Sequence, residues 1–160
     1  MKDELEKKLA EAFPFMQIKE TLEEQEAGGG IYDLYGAFGC ECDDGWYELL
    51  YGLCGEITEA YKKHGAPVDI VIDQIKEKYG TLRFYYHHEE AEGGLNAIDF
   101  PEGSTRFSQD DIDLRREISG IVDKWEEKSS EVCEKCGRAG VLREDLQWIQ
   151  TLCDECYSKK

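Results

Sequence analysis

Val68-Asp69-Ile70-Val71-Ile72-Asp73-Gln74-Ile75-Lys76-Glu77-Lys78-Tyr79-Gly80-Thr81-Leu82-Arg83-Phe84-Tyr85-Tyr86 is the stretch on which the fold turns. Its first half admits two readings. Val68, Ile70 and Ile72 alternate with other residues in a run rich in β-branched side chains, as in a strand. Val68, Val71, Ile72, Ile75 and Tyr79 also share one face of a helix. The β-branched content favours the strand. Gly80-Thr81 then turns the chain into a second strand, Leu82 to Tyr86, whose aromatics suit a pleated, half-buried surface. The expected fold class is α+β, with two main helices and a short antiparallel sheet.

The first main helix lies upstream, from about Asp44 to His64. Trp46, Leu49, Leu50, Leu53, Ile57, Ala60 and Tyr61 recur at three- and four-residue intervals, which makes one apolar face. Asp43 or Asp44 is the expected N-cap; Gly65 and Pro67 end the helix. Further upstream, residues 2–12 read as a helix stopped by Pro14. Ile18 to Glu26 is a polar helical stretch, and Gly28-Gly29-Gly30 is a linker or a flexible lid. Downstream, residues 89–108 form a long loop. Ser108 then caps a second main helix carrying Leu114, Ile118, Ile121, Val122 and Trp125 and running to about Ser129. The organisation expected is a helical N-terminal extension with its glycine linker over 1–30, an α+β body over 31–130, and a small C-terminal unit over 131–160.

That last unit holds Cys133-x-x-Cys136, sixteen residues, then Cys153-x-x-Cys156. Two such knuckles bring four thiolates to tetrahedral corners, the donor set of one structural Zn2+ in a zinc ribbon. A closed shell of four sulfurs leaves no place for substrate. Reduced cysteines without metal and an iron–sulfur cluster are the alternatives. Val141-Leu142-Arg143 and Trp148-Ile149-Gln150 are the expected arms of a hairpin between the knuckles. Cys40, Cys42 and Cys54 read as buried core thiols. A second metal site or a nucleophile at a helix start are the less economical readings. His64 suits a helix C-terminus, and His87 and His88 point to opposite faces of a strand.

The chain has 160 residues, 36 acids against 19 bases, and a net charge of −17. A field of that sign repels polyanions and argues against nucleic acid as a partner. No run of 18 apolar residues exists to span a membrane. The acidic start, Met1-Lys2-Asp3-Glu4-Leu5-Glu6, is no secretory signal. With seven cysteines, an odd number, four of them at metal spacing, the expected compartment is the cytoplasm. Against this acidic background Lys76, Lys78 and Arg83 form a local basic cluster beside Tyr85. Such a group can hold a phosphate and stack on a base. The plain alternative is a solvated face whose bases balance nearby acids. The composition leaves the oligomeric state open.

Gln74 to Tyr85, together with Gly45-Trp46-Tyr47 and the terminal cysteine unit with Trp148 to Cys153, resembles a group of small uncharacterised proteins of bacteriophages and prophages. Those proteins have a Trp-bearing helix, a Gln-Ile/Val-Lys-Glu-Lys-Phe/Tyr-Gly-x-Leu-Arg-Phe-Tyr segment, a helix, and a zinc-ribbon tail with Trp-x-x-Thr-Leu-Cys. The resemblance spans roughly residues 43–157. It implies phage origin and supports the strand, and it implies no reaction. Three functions are therefore expected in this order. The first is a non-enzymatic protein that binds a small anionic, nucleotide-like ligand at Lys76, Lys78, Arg83 and Tyr85, in a phage setting to sequester a host immune signal. The second is an acidic interaction module, or nucleic-acid mimic, acting on a host protein. The third is an enzyme of unknown reaction using Cys40, Cys42 or an acid pair.

Overall fold

The computed structural model describes residues 1–18, 34–89 and 109–160. The polar helix after Ile18, the triple glycine, the Ser108 cap and the loop 89–108, save Glu89, lie outside the described residues.

The deciding stretch is a hairpin. Strand β2, Ile70–Lys78, pairs antiparallel with β3, Thr81–His88, from Ile70 opposite His88 to Lys78 opposite Thr81. Tyr79 and Gly80 make the turn, with φ of 54° and 78°. Two successive residues of positive φ give the tight turn whose twist matches its flanking strands. The turn thus sits one residue earlier than Gly80-Thr81.

The pairing slips between Ile72 and Gln74, which leaves Asp73 as a bulge. That extra residue changes which side chains face inward. Ile70 and Ile72 are buried before it and Ile75 after it. Leu82 and Phe84 are buried opposite them on β3. Past the bulge, Gln74, Lys76 and Lys78 share the outer face with their cross-strand partners Tyr85, Arg83 and Thr81.

Two helices cover the inner face. Helix α3, Tyr47–His64, buries Leu49, Leu50, Leu53, Cys54, Ile57, Ala60 and Tyr61. Helix α4, Gln109–Ser129, buries Leu114, Ile118 and Val122 and packs against both α3 and β3. It also closes the outer edge of β3. The Leu82 N–H donates to Ser129 Oγ (2.8 Å) and the Phe84 N–H to Glu126 Oε1 (2.8 Å). An edge whose donors are satisfied this way offers no template for another strand.

A short strand β1, Cys40–Glu41, lies along β2, with Cys40 opposite Ile75 and Glu41 opposite Lys76. It runs parallel, with α3 as the crossover to β2. The fold class is α+β as expected, but the sheet is mixed rather than purely antiparallel. Helix α1, Asp3–Ala12, a 3-10 turn at Pro14–Met16 and helix α2, Leu34–Phe38, add Leu9, Phe13, Met16 and Tyr35 to the same core. Helix α3 ends at Gly65 with φ 65°. Its start departs from expectation, because neither Asp43 nor Asp44 caps it. Both acids are drawn to distant partners. Asp44 accepts the Lys2 N–H (2.9 Å), and Asp43 pairs with Lys135 (2.6 Å).

The C-terminal unit has strands β4, Val141–Arg143, and β5, Gln150–Leu152, followed by helix α5, Asp154–Tyr157. The second arm is thus two residues later than Trp148-Ile149-Gln150. Trp148 folds back instead, and its indole N–H donates to Glu77 Oε2 (2.6 Å). No helix among the described residues is long and apolar enough to cross a membrane.

Candidate metal centre and candidate ligand face

Cys133, Cys136, Cys153 and Cys156 converge. Their four sulfurs lie within 4.8 Å of one another. Four thiolates about 2.3 Å from a tetrahedral Zn2+ stand about 3.8 Å apart. The Cys136 and Cys153 sulfurs are 3.7 Å apart. The donor set and its spacing fit a metal ion. The first knuckle is shaped by its own backbone, since the Gly137 N–H donates to the Cys133 carbonyl (2.8 Å) and the Cys133 N–H to that of Arg138 (2.7 Å). Sulfur also receives bonds from outside the set. Arg138 Nε donates to Cys136 Sγ (3.3 Å) and the Cys156 N–H to Cys153 Sγ (3.4 Å). The guanidinium holds the Cys136 thiol down at about 6. Hydrogen bonding with Cys153, then burial, pushes Cys156 up to about 12. Four sulfurs so close titrate as one set, in which each charge formed opposes the next. A bound cation removes that opposition and takes all four as thiolates.

The unit docks on the body through Glu134, which lies inside the first knuckle and is buried. Its carboxylate accepts the Asp43 N–H (3.1 Å) and Gln150 Nε2 (3.2 Å), and its carbonyl accepts the Gly45 N–H (2.8 Å). Gly45 has to be glycine, because a Cβ there would stand 2.4 Å from the Cys133 and Glu134 carbonyls. The buried Trp46 donates its indole N–H to the Val132 carbonyl (2.9 Å). At the far side Thr151 Oγ1 donates to the Gly80 carbonyl (2.6 Å).

Lys76, Lys78, Arg83 and Tyr85 stand on the outer face of the hairpin. Lys76 Nζ lies 5.4 Å from the Tyr85 ring centroid and donates to Gln74 Oε1 (2.6 Å). Lys78 Nζ lies 5.7 Å from the Tyr79 ring. Arg83 Nη1 donates to Thr81 Oγ1 and to the Leu82 carbonyl, both at 2.7 Å, and reaches Glu126 only at 3.9 Å. Neither lysine is ion-paired among the described residues. A recess of about 350 Å³ lined by Met1, Lys2, Cys42, Asp43, Asp44 and Lys135 is a poorer anion site. Its two lysines are already paired with its two aspartates, at 2.7 and 2.6 Å.

Among the described residues no second set of three ligating side chains converges, so Cys40, Cys42 and Cys54 do not share a metal. All three are buried. Burial, then Glu6, pushes the Cys40 thiol up to about 12, and burial also raises Cys42 and Cys54. Protonated thiols are poor nucleophiles and suit the plain core reading. Three carboxylate–imidazole pairs had no sequence signal, the first being His64 Nε2 with Glu117 Oε2 (2.9 Å). His87 Nδ1 lies 2.7 Å from Asp73 Oδ1 on the outer face. On the inner side Asp69 Oδ1 accepts from the Tyr61 hydroxyl (2.5 Å) and lies 2.9 Å from His88 Nδ1, with Arg115 at 3.8 Å from Oδ2. Burial alone would raise the Asp69 carboxyl, but these three partners hold it below the usual carboxylate range. The bulge aims Asp73, and neither bulge nor pairing shows in residue spacing.

Compared with protein-family models, with curated proteins and with solved structures, the chain has no match in any of the three.

Proposed function

We propose that this is a non-enzymatic binding protein. Lys76, Lys78, Arg83 and Tyr85 hold a small anionic, nucleotide-like ligand on the outer sheet face, and the four terminal cysteines hold one structural Zn2+. The support for the ligand is electrostatic. In a chain of net charge −17, two lysines and an arginine stand together beside an exposed ring, and the lysines lack acidic partners among the described residues. Local cations at contact distance outweigh a distant field that salt screens. Zinc is preferred over iron because a ribbon of two Cys-x-x-Cys knuckles closes a tetrahedral shell and needs no redox chemistry. With the resemblance to phage proteins, the function extends to sequestering a host nucleotide signal in the bacterial cytoplasm.

An acidic protein-interaction module is the second reading. It rests on Tyr79 and Trp148, 67% and 65% exposed where hairpin and ribbon meet. Native mass spectrometry and calorimetry against linear and cyclic nucleotides separate the two. We expect one zinc per chain and nucleotide binding that Lys76→Glu with Arg83→Glu abolishes. No binding at high micromolar concentration ends the ligand assignment. A protein partner retained by the double variant favours the module.

A further inference from the structure

We infer that the outer face binds its ligand with one polarity, the base on Tyr85 and the phosphates towards the hairpin turn, and so selects nucleoside di- and triphosphates over monophosphates. This rests on the outer face being the ligand site. The pairing register divides that face into three rungs. Gln74 lies opposite Tyr85, Lys76 opposite Arg83, and Lys78 opposite Thr81. Successive rungs are two residues apart along each strand, about 6.7 Å.

The rungs differ in chemistry. The first offers the Tyr85 ring, 42% exposed. The second pairs Lys76 with Arg83, the Lys76 ammonium reaching back to Gln74 Oε1 (2.6 Å) and the Tyr85 ring. The third offers Lys78, and Arg83 leans towards it through its bond to Thr81 Oγ1 (2.7 Å). A nucleotide whose base stacks on the first rung carries its first phosphate to the second. Only a longer phosphate chain extends the charge on towards Lys78.

The reverse orientation meets a carboxylate. Beyond Tyr85 comes His87, held by Asp73 at 2.7 Å. Glu41, in register with Lys76 on β1, is occupied by the Gln74 amide, which donates to its Oε2 at 2.7 Å. Phosphates turned towards His87 would face Asp73 and leave Lys78 and Arg83 behind. Stacking tolerates any base, so an adenine series is a fair probe.

The test is calorimetry of the zinc-loaded chain in magnesium-free, low-salt buffer with adenosine, AMP, ADP and ATP. We expect ADP and ATP to bind about tenfold more tightly than AMP, the scale of one charge-assisted contact. Lys78→Gln should erase that gain, weakening ADP and ATP more than AMP, and Tyr85→Ala should weaken all phosphorylated members alike. Equal affinity for AMP and ADP would overturn the polarity. So would a Lys78→Gln loss that is the same for both. In either case a continued need for Lys76 and Arg83 leaves the ligand face standing. Failure of all four to bind overturns both.

Discussion

Tyr79 holds a left-handed φ of 54° with two thirds of its surface exposed, and Gly80 follows at 78°. A side chain in that region costs about 1–2 kcal/mol. The Lys78 ammonium, 5.7 Å from the ring, offsets only part of that cost, so Tyr79→Asn should raise the urea midpoint by the equivalent of about 0.5–1 kcal/mol. Gly80 has less freedom. A Cβ there would stand 2.3 Å from Leu142 Cδ1 and would need the same strained backbone. Gly80→Ala should therefore destabilise by about 1–3 kcal/mol. Equal midpoints for Gly80→Ala and the parent would mean that hairpin and ribbon do not meet there. The glycine marked a turn in the sequence, but the partner expected was Thr81. A β-branched residue is the worst candidate for positive φ. The turn therefore forms one residue earlier, and Thr81 enters the strand.

Helix α4 does two tasks, and only one of them shows in its spacing. Leu114, Ile118 and Val122 recur as an apolar stripe, so the buried face could be read directly. Glu126 and Ser129 fall outside that apolar stripe, yet they accept the Phe84 and Leu82 amides at the edge of β3. A polar residue that satisfies another element's backbone has no periodic signature. The bulge at Asp73 was hidden for the same reason, and so was the two-residue β1. That Lys76 and Lys78 share one face was legible because both follow the bulge, where the two-residue alternation still holds. The edge bonds give a pH dependence. Burial raises the Glu126 carboxyl above its ordinary value, against the opposing pull of the Phe84 amide and Arg83. The fold thus favours the protonated acid. Its contribution is complete below the unfolded pKa of about 4.3 and is lost as pH rises through the folded value. Glu126→Gln keeps an acceptor for Phe84 and has no proton to lose. The variant should gain on the parent in urea denaturation as pH climbs from 4 to 7; a constant difference would show that Glu126 is not desolvated. Ser129→Ala should instead cost about 1–3 kcal/mol at every pH, because it leaves the buried Leu82 N–H without an acceptor.

The two knuckles form one side of a joint that includes the body. Gly45 fits against the Cys133 and Glu134 carbonyls, Trp46 bonds Val132, and Thr151 bonds the turn at Gly80. The C-terminal unit has short strands and a short helix, and a metal ion in such a unit supplies on the order of 10 kcal/mol of folding free energy. With the proposed Zn2+ in place, chelation should therefore do more than unfold residues 131–157. It should also release the start of α3 and the tip of the hairpin, while the start of β2, far from the tip and backed by the apolar core, holds. Hydrogen exchange before and after chelation tests this directly. Protection should fall first at the knuckles, then at Gly45, whose amide donates to the Glu134 carbonyl, and last at Ile70 and Ile72. Cys153→Ser should give the same pattern without chelator. If the Gly45 amide, which donates to the Glu134 carbonyl, stays protected in metal-free protein, the joint is held by packing alone. If Ile70 and Ile72 exchange together with the knuckles, the whole chain folds as one unit around its ion, and the ligand face would form only in the metal-bound protein.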